Sequence, residues 1–144
     1  MSTTLESLPK LEQIIDGPTI IGMQKAVRGV GVSHEVANYA ARLARATRPG
    51  SPEAPDFVNQ WVRWGCGPRA GQGLLLAAKS NAGLSGRSDA TIEDVQKFVL
   101  PVLRHRMGLN FAAVSEGQST DDIVDMLVKH VPEKASAAAP QKVA

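Results

Sequence analysis

Cysteine is almost absent from this sequence of 144 residues, in which Cys66 is the single example. One cysteine excludes an internal disulfide framework and leaves no spacing for a zinc site. The sequence also lacks a basic stretch followed by an apolar one near Met1, and no apolar run approaches the roughly 18 residues that span a bilayer. We therefore expect a cytoplasmic protein without a membrane segment.

Aromatic residues and net charge are also low, at 4% and +2. Strands of a sandwich or barrel are enriched in aromatic and β-branched residues, whereas abundant alanine and leucine favour helices. The proportions of hydrophobic and charged residues, 43% and 21%, are those of an ordinary globular protein. The composition predicts an all-α fold, a small bundle of about five to six helices. A charge of +2 does not by itself imply a polyanionic partner.

Groups that would support independent catalysis are scarce. His34, His105 and His130 fall on three different predicted elements without a carboxylate or cysteine at ligand spacing, so no metal site is expected. No Ser-His-Asp arrangement or pair of carboxylates stands out. The phosphate-binding sequence Gly-x-x-x-x-Gly-Lys-Ser/Thr is absent, as is an apolar strand ending in Asp-Glu that could hold Mg²⁺. We therefore expect no nucleotide hydrolysis by this chain alone.

Capping residues, prolines and glycines mark the predicted helices. Asp16 and Ser33 are the predicted N-caps of the first two helices. Three prolines and a glycine within residues 48–55 predict a loop, after which Asp56 is expected to cap a short helix ending at Trp64. The second helix has the clearest apolar stripe, at Val36, Tyr39, Ala40, Leu43 and Ala44.

The second half of the chain carries similar signals. Pro68 is expected to begin a helix, and Thr91 is expected to cap another that Pro101 kinks or splits. Residues 104–111 are predicted to leave that helix in an extended turn. A last helix is expected to begin after Thr120 as its cap and to stop at Pro132.

These boundaries divide the chain into three segments. Residues 1–15 show no clear periodicity and are predicted to be a linker. Residues 16–132 are predicted to form one helical domain. Residues 133–144 are rich in alanine, serine, proline and lysine, and they contain too little apolar material to fold.

Arg69 stands in the first turn of the helix predicted to begin at Pro68. A helix N-terminus carries about half a positive charge, so a cation there is disfavoured by about 0.3–1 kcal/mol. Exposed backbone N–H groups, a permissive entry to the helix that contains glycine and proline, and a guanidinium fork together describe an anion site, for which phosphate is a common ligand. Helix-start arginines are common, however, and this local signal is weak.

Cys66, three residues before Arg69, allows two interpretations. Arg69 and the helix start would favour its thiolate form and lower its pKa, but the sequence offers no identifiable general base. A small packed thiol is the favoured interpretation.

Several longer segments of the chain form a set of motifs in a fixed order and spacing. They are residues 39–50 (YAARLARATRPG), 56–70 (DFVNQWVRWGCGPRA), 100–106 (LPVLRHR), 109–111 (LNF) and 116–117 (EG). Together these segments resemble the C-terminal lid of the MoxR family of AAA+ ATPases. The resemblance extends over residues 14–132, and several motifs in register make it more specific than any one of them.

The resemblance implies a role for Arg69 and its neighbours. In that family the lid folds over a nucleotide held by a preceding α/β ATPase core, which is missing from this sequence. Arg69 would be the sensor 2 arginine, a catalytic residue that approaches the γ-phosphate of ATP. Gly67, Pro68 and Ala70 would lie with it at the nucleotide, and the core would supply Mg²⁺.

The partners implied by the resemblance are the ATPase core, neighbouring subunits of a ring and a protein with a von Willebrand factor A domain. The resemblance also implies a role as part of a chaperone-like ATPase. We expect the isolated chain to bind nucleotide weakly or not at all.

Two other functions remain open from the sequence. One is a small helical nucleic-acid-binding module that contacts phosphates through several arginines of one face. The other is a protein-interaction bundle without a nucleotide role. The arginines considered for the first alternative are Arg42, Arg45, Arg48, Arg63 and Arg69.

Overall fold

The computed structural model describes residues 12–134, and within them the chain is an all-α bundle, as predicted. Most of the predicted linker (residues 1–11) and of the predicted tail (residues 135–144) lies outside the described residues. The described part has seven helices, one of them a five-residue helix that begins where the predicted extended turn ends. They are α1 (Gly17–Gly29), α2 (His34–Ala46), α3 (Asp56–Trp61), α4 (Pro68–Leu84), α5 (Ile92–Leu103), α6 (Phe111–Ser115) and α7 (Thr120–His130).

Four short strands, which the sequence did not predict, connect these helices in two pairs. β1 and β3 pair in parallel, with Gly31 opposite Asp89 and Val32 opposite Ala90. β2 and β4 pair antiparallel and irregularly, with Val62 opposite Leu109. The strands are β1 (Gly31–Val32), β2 (Val62–Trp64), β3 (Asp89–Ala90) and β4 (Gly108–Leu109).

Side-chain caps start most of the longer helices where the sequence predicts them. The Asp16 carboxylate accepts the N–H of Thr19, and the Ser33 hydroxyl accepts that of Val36. Thr91 caps α5 in a reciprocal capping box with Asp94. The predicted position of the α7 cap was wrong by one residue. Ser119 rather than Thr120 is the N-cap, because Ser119 exchanges hydrogen bonds with Asp122 three residues later.

The short helix predicted from Asp56 to Trp64 was wrong at both ends. Pro55 is the N-cap and Asp56 is already helical, whereas α3 ends at Trp61. The residues that follow pair with β4, and the N–H of Asn110 donates to the Trp61 carbonyl at 2.9 Å. This non-local pairing satisfies backbone groups that a longer helix would otherwise bond internally.

Pro101 does not split α5, which continues to Leu103. Proline removes one N–H donor, but the next turn still closes, since the N–H of Arg104 donates to the Leu100 carbonyl at 3.0 Å. The proline lies in the last turn of α5, where few bonds remain to be broken.

One hydrophobic core joins α2, α4, α5 and α7. All five residues of the predicted α2 stripe are buried, which confirms it. α1 differs from the others, because it packs against α4 without burying any residue and leaves Ile20, Ile21 and Met23 about half exposed. The largest fully buried side chains include Tyr39, Leu43, Leu74, Leu103, Ile123 and Leu127.

Asp94 ties the end of α4 to the start of α5. Its buried carboxylate accepts two hydrogen bonds from the Arg87 guanidinium, at 2.6 and 2.7 Å, and one from the Asn81 amide at 2.5 Å. It also accepts the Thr91 N–H at 2.9 Å. These donors, Arg87 first among them, hold the pKa of Asp94 well below its usual 3.8.

We expect Asp94→Ala to lower the free energy of unfolding at pH 7 by about 2–3 kcal/mol, because it removes a buried acceptor and the capping box. Since the folded pKa is depressed, this contribution is complete above the unfolded pKa near 3.8 and is lost as the pH falls below it. Urea unfolding at pH 7 and pH 3 should therefore show a smaller gap between variant and wild type at pH 3.

Asp121→Ala is the matched control for this prediction. Asp121 pairs with Arg104, but both side chains are more than a third exposed, so its loss should cost less than about 1 kcal/mol. Equal losses in the two variants would contradict the role given to Asp94.

Candidate functional site

Arg69 is the second residue of α4, and its side chain is exposed. Gly67 is the N-cap and provides no side-chain cap, and the first turn of α4 contains no acidic residue. The positive end of the helix therefore has no negative group in its own sequence to offset it. Within residues 12–134, no ion pair and no side-chain hydrogen bond involves the Arg69 guanidinium.

The loop that leads to Arg69 is held against the C-terminal end of α2. The buried Thr47 hydroxyl accepts the N–H of Cys66 at 2.8 Å and donates to the Ala44 carbonyl at 2.7 Å. The guanidinium of Arg48 donates to the Cys66 carbonyl, also at 2.7 Å. Both backbone polar groups of Cys66 are thus satisfied, which fixes the loop that carries Arg69.

Gly65 allows the close approach of this loop to α2. A Cβ atom at Gly65 would lie 2.2 Å from the Thr47 carbonyl oxygen and 2.6 Å from the Cα of Arg48. Both neighbours are backbone atoms, so no side-chain rotation relieves the clash. A glycine is therefore required here by space, and the sequence alone did not indicate this.

Cys66 is a packed thiol, as the favoured interpretation had it, and only 1% of it is exposed. Burial raises the pKa of the Cys66 thiol, and the Thr47 hydroxyl and the charges of Arg106 and Arg48 oppose that rise only in part. The lowered pKa considered from its position beside a helix start was therefore wrong, because desolvation outweighs the nearby positive charges.

An open cleft of about 780 Å³ lies at the N-terminus of α4. It brings together all four residues predicted to contact the nucleotide. Ala70 is fully buried and offers the least surface of the four, whereas Gly67, Pro68 and Arg69 are exposed. The cleft is lined by Gly67, Pro68, Arg69, Ala70, Gln72 and Arg106.

Arg106 is the site residue that the sequence interpretation missed. It comes from the turn after α5, which the fold brings beside the start of α4. The segment Arg104-His105-Arg106 was singled out only as part of a motif, and nothing in the sequence showed which of its side chains would line the cleft.

The arginines considered for a nucleic-acid interface do not share one free face. Arg42 donates to the carbonyls of Pro132 and Glu133, and Arg45 pairs with Glu53 at 2.7 Å. Arg48 is bonded to the loop, and the Arg63 guanidinium lies 5.5 Å from the centre of the Trp64 ring. Four of these five guanidiniums therefore have partners within the chain.

The three histidines lie apart, on α2, in the turn after α5 and at the end of α7. His130 packs edge-on against Phe57, with 6.0 Å between ring centres. Among residues 12–134, no group of histidine, cysteine, aspartate and glutamate side chains could hold a metal ion. None of the helices in that range combines the length and apolar character needed to cross a membrane.

Comparison with known families shows which kind of domain contains this helix, loop and cleft. A family model described as "AAA lid domain" matches residues 57–127, which include α4 and the cleft. Residues 57–127 form an AAA lid domain. The resemblance to the lid of the MoxR-type AAA+ ATPases is confirmed.

Two relatives support the same assignment for a larger part of the chain. The Mycobacterium tuberculosis protein named Chaperone MoxR1 is 29% identical over 134 residues, which are 93% of this chain and 36% of that protein. A crystal structure of a protein named "putative ATPase", from Cytophaga hutchinsonii, superposes on this chain with a TM-score of 0.71 at 27% identity. It covers 75% of this chain and 33% of the other. The chain thus spans about a third of the length of the relatives it matches.

Proposed function

We propose that this lid domain closes over a nucleotide held by an AAA+ ATPase core and supplies Arg69 as the sensor 2 arginine. The single observation that carries the proposal is the exposed Arg69 guanidinium, which lines a cleft at an uncapped helix start and has no partner in the described part of the chain. A planar guanidinium can hold two phosphate oxygens at once, which suits the γ-phosphate of ATP. The proposed cofactor is ATP, with Mg²⁺ supplied by the core.

The proposed reaction is ATP hydrolysis by the assembled enzyme, in which Arg69 stabilises charge on the transferring phosphoryl group. The chain's own residues bind and orient the phosphates. The water and the metal belong to the core. Because Thr47 and Arg48 hold the loop before Arg69 rigidly to α2, a movement of the whole lid would carry the guanidinium toward or away from the nucleotide.

The proposed partners are the core of the same ATPase and neighbouring subunits of its ring. The resemblance also supports a partner that has a von Willebrand factor A domain. It supports a chaperone-like role for the assembled ATPase as well. The relative from Mycobacterium tuberculosis is itself named a chaperone. We propose residues 16–132 as the extent of the lid domain, since α1 packs on α4 and the core reaches Val131, and the cytoplasm as its location.

A chimeric enzyme tests the proposal. The segment of Chaperone MoxR1 that matches this chain is deleted, and residues 1–144 of this chain are joined in its place. We expect the deleted protein to have no measurable ATP turnover and the chimera to recover turnover to within about tenfold of the intact relative.

Two results would contradict the proposed function. One is ATP hydrolysis by this chain alone at a rate comparable with the chimera, because the chain lacks a phosphate-binding loop. The other is a chimera that binds ATP as tightly as the intact relative but turns over no faster than the deleted protein.

A further inference from the structure

Arg104 and Arg106, two residues apart, have different surroundings. Arg104 is paired with Asp121 through two hydrogen bonds, so its charge is offset within the fold. Arg106 is exposed, and one nitrogen of its guanidinium donates to the Val102 carbonyl at 2.5 Å. In the described part of the chain, no carboxylate forms an ion pair with Arg106. Arg104 therefore joins the end of α5 to α7, whereas Arg106 presents its charge to the cleft.

The cleft at the start of α4 consequently contains two guanidiniums and no acidic residue among its lining. Arg69 reaches it from α4 and Arg106 from the turn after α5, so the two charges come from separate elements. Like charges that line one cleft repel each other and raise the local concentration of anions. Each planar fork can bind two oxygens of a different phosphate group.

We propose that Arg106 is a second anion-binding residue of this cleft, and that with Arg69 it binds a chain of two or more phosphate groups rather than a single phosphate. The inference rests on the proposed function, for which it names a further binding residue. The bond to the Val102 carbonyl restricts the Arg106 side chain and leaves its other donors for the ligand. Arg106 thereby helps the lid to distinguish a long phosphate chain from a short one.

A titration of the whole chain with inorganic tripolyphosphate tests this inference without a core. Binding is followed at low ionic strength by the NMR signals of the arginine side-chain N–H groups, because exposed ion pairs are screened by salt. We expect tripolyphosphate to shift the signals of both Arg69 and Arg106, and orthophosphate at equal ionic strength to bind at least about fivefold more weakly.

Variants at exposed positions separate the two arginines. Arg106→Gln and Arg69→Gln are each expected to weaken tripolyphosphate binding by about fivefold or more, and Arg106→Lys by less, because lysine keeps the charge but not the fork. Lys25→Gln is the matched control. It removes one positive charge from an exposed position on α1, away from the cleft, and should change binding by less than about twofold.

The outcomes distinguish this inference from the proposed function. If Arg106→Gln binds tripolyphosphate as the wild type does while Arg69→Gln does not, the role of Arg106 is wrong and that of Arg69 stands. If tripolyphosphate shifts neither arginine at about 10 mM, or if Lys25→Gln weakens binding as much as Arg106→Gln, a specific two-arginine site is wrong. A third result is that both arginine variants lose tripolyphosphate binding, but the chimera has the same ATP turnover with and without Arg69. In that case the cleft binds oligophosphate and the proposed function is wrong.

Discussion

Replacing Arg69 by alanine is expected to lower the ATP turnover of the chimera about 100-fold. Removing one preorganised donor that meets developing charge typically costs a factor of 10²–10³ in kcat. The loss should be larger in kcat than in KM, although KM should also rise, because the guanidinium binds the γ-phosphate of bound ATP and binds the transferring phosphoryl group more strongly. Steady-state rates over a range of ATP concentrations separate the effects on kcat and KM.

The exposure of Arg69 makes this test clean, because its truncation removes no packing in the core. The thermal midpoint of the isolated chain should not fall, and it should rise slightly, because the variant removes an unfavourable charge from the start of α4. Arg69→Lys should recover only part of the turnover, since an ammonium group lacks the planar fork. Lys25→Ala, which removes a charge from α1, should retain full turnover. A kcat for Arg69→Ala within about twofold of the unmodified chimera would show that the arginine does not act on the reacting phosphate.

Replacing Gly65 by alanine is expected to lower the free energy of unfolding by about 2–3 kcal/mol. The new methyl group would lie 2.2 Å from the Thr47 carbonyl oxygen, and forcing an extra carbon into such a packed contact costs about 1–3 kcal/mol. Relief requires the loop to move away from α2, which would weaken the hydrogen bond from the Cys66 N–H to the Thr47 hydroxyl. Urea unfolding of the isolated chain measures the change.

Gly22→Ala is the matched control for this substitution. Gly22 lies within α1, and a Cβ atom there would meet nothing within 4 Å. Alanine should therefore stabilise the chain slightly, by up to about 1 kcal/mol, through its higher helix propensity. A Gly65→Ala variant as stable as the wild type would mean that the loop is not fixed to α2 as described.

Local sequence signals predict the helices of this domain well. The α2 stripe predicts the buried residues because a 3.6-residue period places them on one face. The caps of α1, α2 and α5 are predictable because each depends on a side chain within three residues of the groups it satisfies. The position of Arg69 in the first turn of α4 follows in the same way from Gly67 and Pro68.

The features that the sequence did not predict depend on contacts distant along the chain. β2 takes residues from the predicted end of α3 because β4, more than forty residues later, offers it backbone partners. The requirement for Gly65 arises from the approach of Thr47, and the charge of Arg106 reaches the cleft only because α5 packs against α4. The contact between Thr47 and Gly65 leaves no pattern in the local sequence, and neither does the position of Arg106 beside α4. The sequence therefore predicted only the residues that α4 and its N-cap contribute to the cleft.

The most direct measurement of the central proposal is the preference of the chimera for ATP over ADP. If Arg69 contacts the γ-phosphate, a non-hydrolysable ATP analogue should bind at least about tenfold more tightly than ADP, and Arg69→Ala should remove most of that preference while leaving ADP affinity unchanged. Equilibrium titration of both nucleotides into both proteins gives the four dissociation constants required. An equal preference for the triphosphate in the presence and absence of Arg69 would contradict the proposed contact.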